Sequence, residues 1–187
     1  MGTIHSSPTS PQNRSIPSQT LGFSEKNRKW TCFYSYYPEN MCTSGTGIVT
    51  FKNGHVYKHN AYNAEAGKEY NHFYGQPVDS ELHVISNEVV SNNKVYKAFS
   101  QESDDVWEVD FESPNGQESN LVESDFDTRE NIHYSDIYND TNSPGGLLEG
   151  DRMRDVTLIA KLKIFKKTLS RLFAVNFNFS NSFRSNR

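Results

Sequence analysis

The sequence has little of what several protein classes require. Its apolar runs fall far short of the roughly 18 consecutive apolar residues of a membrane-spanning helix. Residues 1–20 are too polar for the apolar region of a secretory signal. Two cysteines among 187 residues, Cys32 and Cys42, cannot define a disulfide framework, and the sequence leaves their redox state open. Composition therefore argues against a membrane protein, a collagen, a coiled coil and a disulfide scaffold.

An excess of one charge sign is also missing, because 19 Lys and Arg nearly balance 23 Asp and Glu. With a net charge of -4, we expect no direct binding to nucleic acid. The charges are nevertheless segregated. Residues 102–130 hold eleven acids and one base, whereas residues 152–187 hold nine bases and one acid. These two segments either neutralise each other or steer contacts with a charged neighbour or between copies.

Aromatic residues are abundant, with ten Tyr, twelve Phe and two Trp, whereas the sequence holds only six Ala and nine Leu. Aromatic side chains suit the pleated surface of a sheet, and Ala and Leu are the strong helix formers. We therefore predict an all-β fold, an antiparallel β-sandwich-like domain over residues 29–187. Residues 1–28 hold few large apolar groups, and we expect a flexible or extended N-terminal arm there.

The strongest hairpin signal is Asn53-Gly54, which tolerates positive φ and lies between the strand-like runs GIVTF and HVYKH. Residues 113–116 (SPNG) predict a second turn, and residues 141–146 a loop. Toward the C-terminus, residues 156–164 and 173–179 alternate like strands, although a helical stripe also runs through residues 158–173. We favour strands because the final aromatic alternation is unbroken. Further strands are predicted at residues 30–37, 82–85, 94–99, 106–111, 121–126 and 132–138.

Candidate chemical sites are weak. His55 and His59 are four residues apart on a predicted strand, roughly 13 Å and too far to share one ion. The acidic stretch lacks the spacing of a calcium loop, and no nucleophile elbow, phosphate loop or complete dinucleotide motif occurs. The basic run at residues 161–171 would suit a membrane surface or nucleic acid only as a helix. We therefore assign no catalytic residue, metal or cofactor, and expect no enzyme.

Several motifs occur in an order that resembles a known family. They are residues 30–41 (WTCFYSYYPENM), 50–60 (TFKNGHVYKHN), 71–75 (NHFYG), 97–99 (KAF) followed by Glu102 and Trp107, 129–137 (RENIHYSDI) and 172–176 (LFAVN). The pattern resembles a domain in virion structural proteins of tailed bacteriophages, in particular the tail-associated "stabilization" proteins of crAss-like and related phages. The resemblance covers residues 30–187, and its most specific element is the F-x-N-G-x-x-Y-x-H hairpin.

The resemblance implies a non-enzymatic structural role in the tail or portal-proximal part of a virion that is assembled in the host cytoplasm. Its expected partners are other virion proteins and copies of itself in a ring. A glycan-binding module of a receptor-binding protein is the alternative, and a polysaccharide depolymerase is a third hypothesis. We expect Trp30 and Trp107 to be core residues, although Trp30 is also an interface candidate. The candidate interface residues are Trp30, Tyr34, Tyr36, Tyr57, His59 and Tyr74.

Overall fold

The computed structural model describes residues 19–45, 47–59, 70–88, 91–140 and 149–182. The loop expected at residues 141–146 and most of the expected N-terminal arm lie outside these residues. The chain divides into two compact units, with the boundary between Tyr57 and Lys58. That boundary falls inside the domain that was expected to span residues 29–187.

The first unit consists of a two-stranded hairpin and a three-stranded antiparallel meander. The hairpin pairs β1 with β2, and the meander runs β3-β4-β5. Asn53 and Gly54 have φ angles of 51° and 75°, so the hairpin predicted from the Asn-Gly pair is confirmed. Strand β1 lies within the segment predicted as an arm. The strands are β1 (Thr20–Ser24), β2 (Lys29–Tyr34), β3 (Asn40–Ser44), β4 (Gly47–Lys52) and β5 (His55–Lys58).

Among the described residues, the second unit contains the remaining strands and one short 3-10 helix. The elements are β6 (His72–Phe73), β7 (Gln76–Pro77), β8 (Ser80–Ser86), β9 (Lys94–Ser103), β10 (Glu108–Glu112), β11 (Glu118–Leu121), the 3-10 helix (Glu123–Asp125), β12 (Asp127–Arg129), β13 (Ile132–Asp136), β14 (Arg154–Asp155), β15 (Leu158–Ile164) and β16 (Leu172–Asn181).

Two antiparallel sheets form the body of this unit. The first sheet has the order β11-β10-β15-β8. The second is built around the ten-residue strand β9, which pairs with β13, β14 and β16. The pairings of β15 with β8 and of β16 with β9 confirm that the C-terminal segment forms strands rather than a helix.

The core lies between the two sheets and is built from aromatic and aliphatic side chains. Phe99 of β9 lies 5.3 Å from Phe111 of β10 and 5.5 Å from Phe177 of β16, measured between ring centroids and with edge-to-face geometry. Along β10 the alternation is as predicted, because Val109 and Phe111 are buried while Glu108 and Asp110 are exposed. The all-β, sandwich-like fold expected from the aromatic composition is confirmed.

One predicted strand is wrong. Residues 121–126 do not continue as a strand, because β11 ends at Leu121 and a 3-10 helix follows. The Asp125 carboxylate accepts a hydrogen bond from the Val122 amide at 2.9 Å, and the Asp125 amide donates to the Val122 carbonyl. An acidic side chain that bonds its own local backbone competes with strand pairing, which explains why the apolar alternation was misleading here.

Candidate interaction surfaces

The six candidate interface residues do not all lie in one unit. Trp30, Tyr34, Tyr36 and Tyr57 belong to the first unit, and His59 and Tyr74 to the second. Tyr57 is half-buried, and its ring centroid lies 6.3 Å from that of His55.

One face of the β1–β2 hairpin carries four large apolar side chains. Leu21 pairs with Phe33 across the hairpin, and Phe23 pairs with Trp30. Paired residues share a face, and so do residues two apart on a strand. A bulge opposite the Gly22/Phe23 step keeps Trp30 on that face. We call the four side chains, Leu21, Phe23, Trp30 and Phe33, the apolar hairpin face.

All four side chains of this face are exposed, and Trp30 is 63% exposed. The expectation that Trp30 is a core residue is therefore wrong, whereas the same expectation for Trp107, which is 8% exposed, is correct. The difference follows from the surroundings of each ring. Trp107 directly precedes β10 and packs in the core of the second unit, while Trp30 lies on a two-stranded hairpin and packs edge-on against Phe23 at 5.1 Å.

Tyr34 lies on the opposite side of the hairpin, and Tyr36 follows the end of β2. The ring of Tyr34 lies 5.2 Å from that of Tyr36, and Tyr36 is buried. A hydrogen bond with the Cys32 thiol, together with burial, raises the pKa of the Tyr34 hydroxyl to about 12. The Tyr36 carbonyl accepts a hydrogen bond from the Thr20 hydroxyl at 2.6 Å. These contacts give Tyr34 and Tyr36 a role in packing within the first unit.

Two of the candidate interface residues, His59 and Tyr74, pack against each other. The His59 ring lies 5.0 Å from the Tyr74 ring and 5.3 Å from the Phe73 ring, edge-on in both cases. Burial lowers the pKa of His59 from its ordinary value. Tyr74 and Gly75 have φ angles of 53° and 79° in the tight turn between β6 and β7. Left-handed backbone at a bulky residue costs energy and persists only where neighbours hold it in place.

The β6–β7 hairpin is attached to the loop that follows β15. The Asn71 side-chain amide donates to the Lys166 carbonyl at 3.1 Å, and the Tyr70 amide donates to the Lys167 carbonyl at 2.9 Å. The Asn71 side-chain oxygen also accepts a hydrogen bond from the Ser80 hydroxyl. Asn71 therefore positions the His59–Tyr74 cluster, a role that the NHFYG motif alone did not reveal.

The opposite charges segregated along the sequence meet in the second unit. Arg171 Nε lies 2.9 Å from the Asp104 carboxylate, and Lys166 Nζ lies 3.1 Å from Asp105. Lys161 pairs with Glu112 across β15 and β10. These contacts confirm mutual neutralisation for three bases of the segment that was considered as a membrane or nucleic-acid surface.

A cleft of about 320 Å³ also lies in this region, and its lining includes Asp79, Glu108, Lys163 and Lys166. Lys163 Nζ lies 2.9 Å from the Asp79 carboxylate. Both lysines of the cleft are thus already held in ion pairs within the chain, Lys166 with Asp105. The cleft offers paired charges rather than a convergent set of chemically active groups.

Among the residues that the structure describes, no group of three or more His, Cys, Asp or Glu side chains is placed to hold a metal ion. The one helix in the described ranges is far too short to cross a bilayer. Cys32 and Cys42 are free thiols.

The fold defines an all-β protein that exposes several large apolar side chains, among them Trp30 and Phe33. Residues 68–140 match the family model of the Crassvirus muzzle protein C-terminal domain. Among curated proteins, none matches the chain.

The matched residues cover less than half of the chain and include β6 to β13. Both sheets of the sandwich are completed by strands outside the match, since β15 separates β10 from β8 and β16 pairs with β9. The F-x-N-G-x-x-Y-x-H hairpin, considered the most specific part of the resemblance, also lies outside residues 68–140.

Proposed function

We propose that this chain is a non-enzymatic structural component of a tailed-phage virion. It acts in the tail or portal-proximal assembly, as a stabilization-type protein that contacts other virion proteins and copies of itself in a ring. Its place of assembly is the host cytoplasm. The observation that carries the proposal is the similarity of residues 68–140 to a crassvirus muzzle domain.

The structure supports a role in protein contacts in two ways. The polar groups that could serve chemistry are largely used within the chain, as the ion pairs of Asp104, Asp105 and Asp79 illustrate. By contrast, large apolar side chains such as Trp30 and Phe33 remain exposed. Exposed aromatic residues are characteristic of protein interfaces.

For the particular contacts, we propose two surfaces. The first is the apolar hairpin face, which includes Trp30. The second is the cluster of His59, Phe73 and Tyr74, in which a left-handed turn holds the Tyr74 ring against His59. Tyr34 and Tyr36 instead pack against each other within the first unit, and Tyr57 packs there against His55.

Quantitative mass spectrometry of gradient-purified particles of the phage that encodes this chain tests the proposal. We expect a fixed number of copies per particle, commensurate with six-fold or twelve-fold tail symmetry. Crude lysate and particle-depleted fractions serve as controls for contamination. A protein that is abundant in lysate but absent from purified particles would contradict the structural role.

Cross-linking of the same particles tests the tail placement separately. Cross-links from this chain to portal or tail proteins are expected. Cross-links to capsid proteins alone would contradict a tail or portal-proximal position while leaving a virion role intact.

A further inference from the structure

The apolar hairpin face requires a covering partner for physical reasons. Strands β1 and β2 form a separate two-stranded sheet. An isolated two-stranded hairpin is at best marginally stable in water, because it buries little apolar surface. Its four large side chains are 46–73% exposed, with Leu21 the least and Phe33 the most exposed. Contiguous apolar surface of this kind marks a contact site.

The exposed area is close to what a weak symmetric dimer uses. Each aromatic side chain can bury roughly 150–250 Å² of surface. The four side chains of the face, which are partly exposed, therefore present roughly 400 Å² of apolar surface to solvent. Two copies packed face to face would therefore remove roughly 800 Å² from water, and the flanking strand atoms add to this. Specific interfaces begin near about 1,000 Å² in total, and those near this limit are weak and transient.

The charges around the hairpin favour an antiparallel arrangement. The turn between β1 and β2 carries Lys26 and Arg28 against the single acid Glu25, and Lys29 begins β2 directly beside it. The face itself carries no charge. If two hairpins pack with their turns at opposite ends, the two basic turns stay apart, whereas a parallel arrangement would bring like charges together. A two-fold axis through the face gives the antiparallel arrangement, and such self-complementary contacts are the commonest in homo-oligomers.

We propose that the apolar hairpin face binds the same face of a second copy of this chain. In this dimer, Phe23 and Trp30 of one copy pack on Leu21 and Phe33 of the other, and the two hairpins form a four-stranded, two-layer core. The association is weak and becomes extensive where copies are concentrated. The proposal rests on the proposed function for its biological setting and goes beyond it, because a two-fold contact closes on itself and joins copies in pairs, whereas a ring needs a different, head-to-tail contact.

Sedimentation velocity of the full chain, from low micromolar to several hundred micromolar, tests the contact. We expect a reversible shift from monomer to dimer with rising concentration. Phe33→Ser removes the most exposed aromatic side chain of the face and should raise the dimer dissociation constant at least about tenfold. The matched control is Val56→Ser, which removes an exposed apolar side chain of β5 in the same unit and should leave the dissociation constant unchanged.

Tryptophan fluorescence provides a second measurement on the same samples. The chain has two tryptophans, and Trp107 is already buried, so burial of Trp30 in the dimer should shift the emission to shorter wavelength as concentration rises. Trp30→Phe keeps the face apolar, so it should still dimerise but lose this shift. Leu21→Ser tests the same face independently, and far-UV circular dichroism checks that each variant folds.

Three outcomes would overturn the dimer. The first is a wild-type chain that stays monomeric at every concentration, which would indicate that another protein covers the face. The second is a Phe33→Ser variant that dimerises like the wild type. The third is an equal rise in the dimer dissociation constant for Phe33→Ser and Val56→Ser. None of these outcomes would change the number of copies of this chain that mass spectrometry counts in each purified particle. Failure of this inference is therefore distinguishable from failure of the virion role.

Discussion

The side-chain amide of Gln117 makes both backbone hydrogen bonds of Arg154. Its Nε2 donates to the Arg154 carbonyl at 2.7 Å, and its Oε1 accepts a hydrogen bond from the Arg154 amide at 2.7 Å. Gln117 directly precedes β11 in one sheet, and Arg154 begins β14 in the other. The glutamine therefore links the two sheets and satisfies backbone groups that would otherwise lack partners.

The side-chain amide of a second glutamine also bonds both backbone groups of a single residue. Gln101 of β9 donates from Nε2 to the Trp107 carbonyl at 2.8 Å, and its Oε1 accepts a hydrogen bond from the Trp107 amide at 3.1 Å. Both glutamine side chains are almost completely buried. A buried amide whose donor and acceptor are both used specifies one arrangement of the neighbouring strands.

We predict that Gln117→Leu lowers the free energy of unfolding by about 2–4 kcal/mol. The leucine leaves the amide and the carbonyl of Arg154 without these hydrogen bonds, and each buried unsatisfied group costs about 1–3 kcal/mol. Urea unfolding followed by far-UV circular dichroism measures the change. The matched control, Gln76→Leu, replaces an exposed glutamine and should change the stability by less than about 0.5 kcal/mol. If Gln117→Leu and Gln76→Leu lower the free energy of unfolding equally, the hydrogen bonds of Gln117 do not contribute the predicted stability.

We predict that Gln101→Leu loosens the segment around Trp107 and shifts its fluorescence to longer wavelength. The backbone of Trp107 loses both hydrogen bonds from Gln101, so water gains access to a ring that is 8% exposed. The measurement uses a Trp30→Phe background, in which Trp107 is the sole tryptophan of the chain. An unchanged emission maximum, with native circular dichroism, would mean that packing alone holds Trp107.

We predict that substitutions at Gly54 destabilise the β4–β5 hairpin through the backbone rather than through crowding. Gly54 has a φ of +75°, and a Cβ atom there would meet nothing within 4 Å. Left-handed backbone costs L-residues about 1–2 kcal/mol, and Asn adopts it more readily than β-branched residues. Unfolding free energies should therefore fall more for Gly54→Val than for Gly54→Asn. The reverse order would contradict this explanation.

We predict that Asp136→Asn weakens the protein at neutral pH and has no effect in strong acid. The hydrogen bond from Arg152, at 3.0 Å, and a second one from Tyr138 lower the pKa of the Asp136 carboxyl from its ordinary value. A carboxylate with a lowered pKa in the folded state stabilises the protein above its unfolded pKa, and this contribution is lost as the pH falls through the folded value.

The expected loss at pH 7 is below about 1 kcal/mol, since the Asp136 side chain is about half exposed. Denaturation midpoints at several pH values measure it. Asp127→Asn removes an exposed carboxylate of β12 with the same change in net charge and serves as the control. If the denaturation midpoints of wild type and Asp136→Asn differ by a constant amount down to strongly acidic pH, the ionised Asp136 carboxylate is not the source of the stability difference.

The predictions from sequence succeeded where a signal is local. The Asn53-Gly54 turn needs only the tolerance of two adjacent residues for positive φ, and the structure has both. The alternation in β10 and β15 follows from the two-residue period of a strand that is covered on one face. These features are determined by neighbours in the chain, so no knowledge of the tertiary structure was needed.

The candidate interface was predicted less completely. Trp30 was chosen, but Leu21, Phe23 and Phe33 of the same face were not, because their common orientation depends on the register of β1 and β2. Tyr36 was also chosen, although it is buried. Residue type alone cannot separate an exposed ring from a packed one, since that depends on which sheet lies opposite.

The amino-acid sequence by itself determined that this protein is built from short antiparallel strands with an aromatic core, because side-chain period and turn chemistry act over a few residues. The tertiary structure alone decided which strands became neighbours. It paired β16 with β9, brought Gln117 to Arg154 and covered Trp107 while leaving Trp30 exposed. These outcomes depend on contacts between residues far apart in the chain. Such contacts form only when whole sheets pack, and local preference does not encode them.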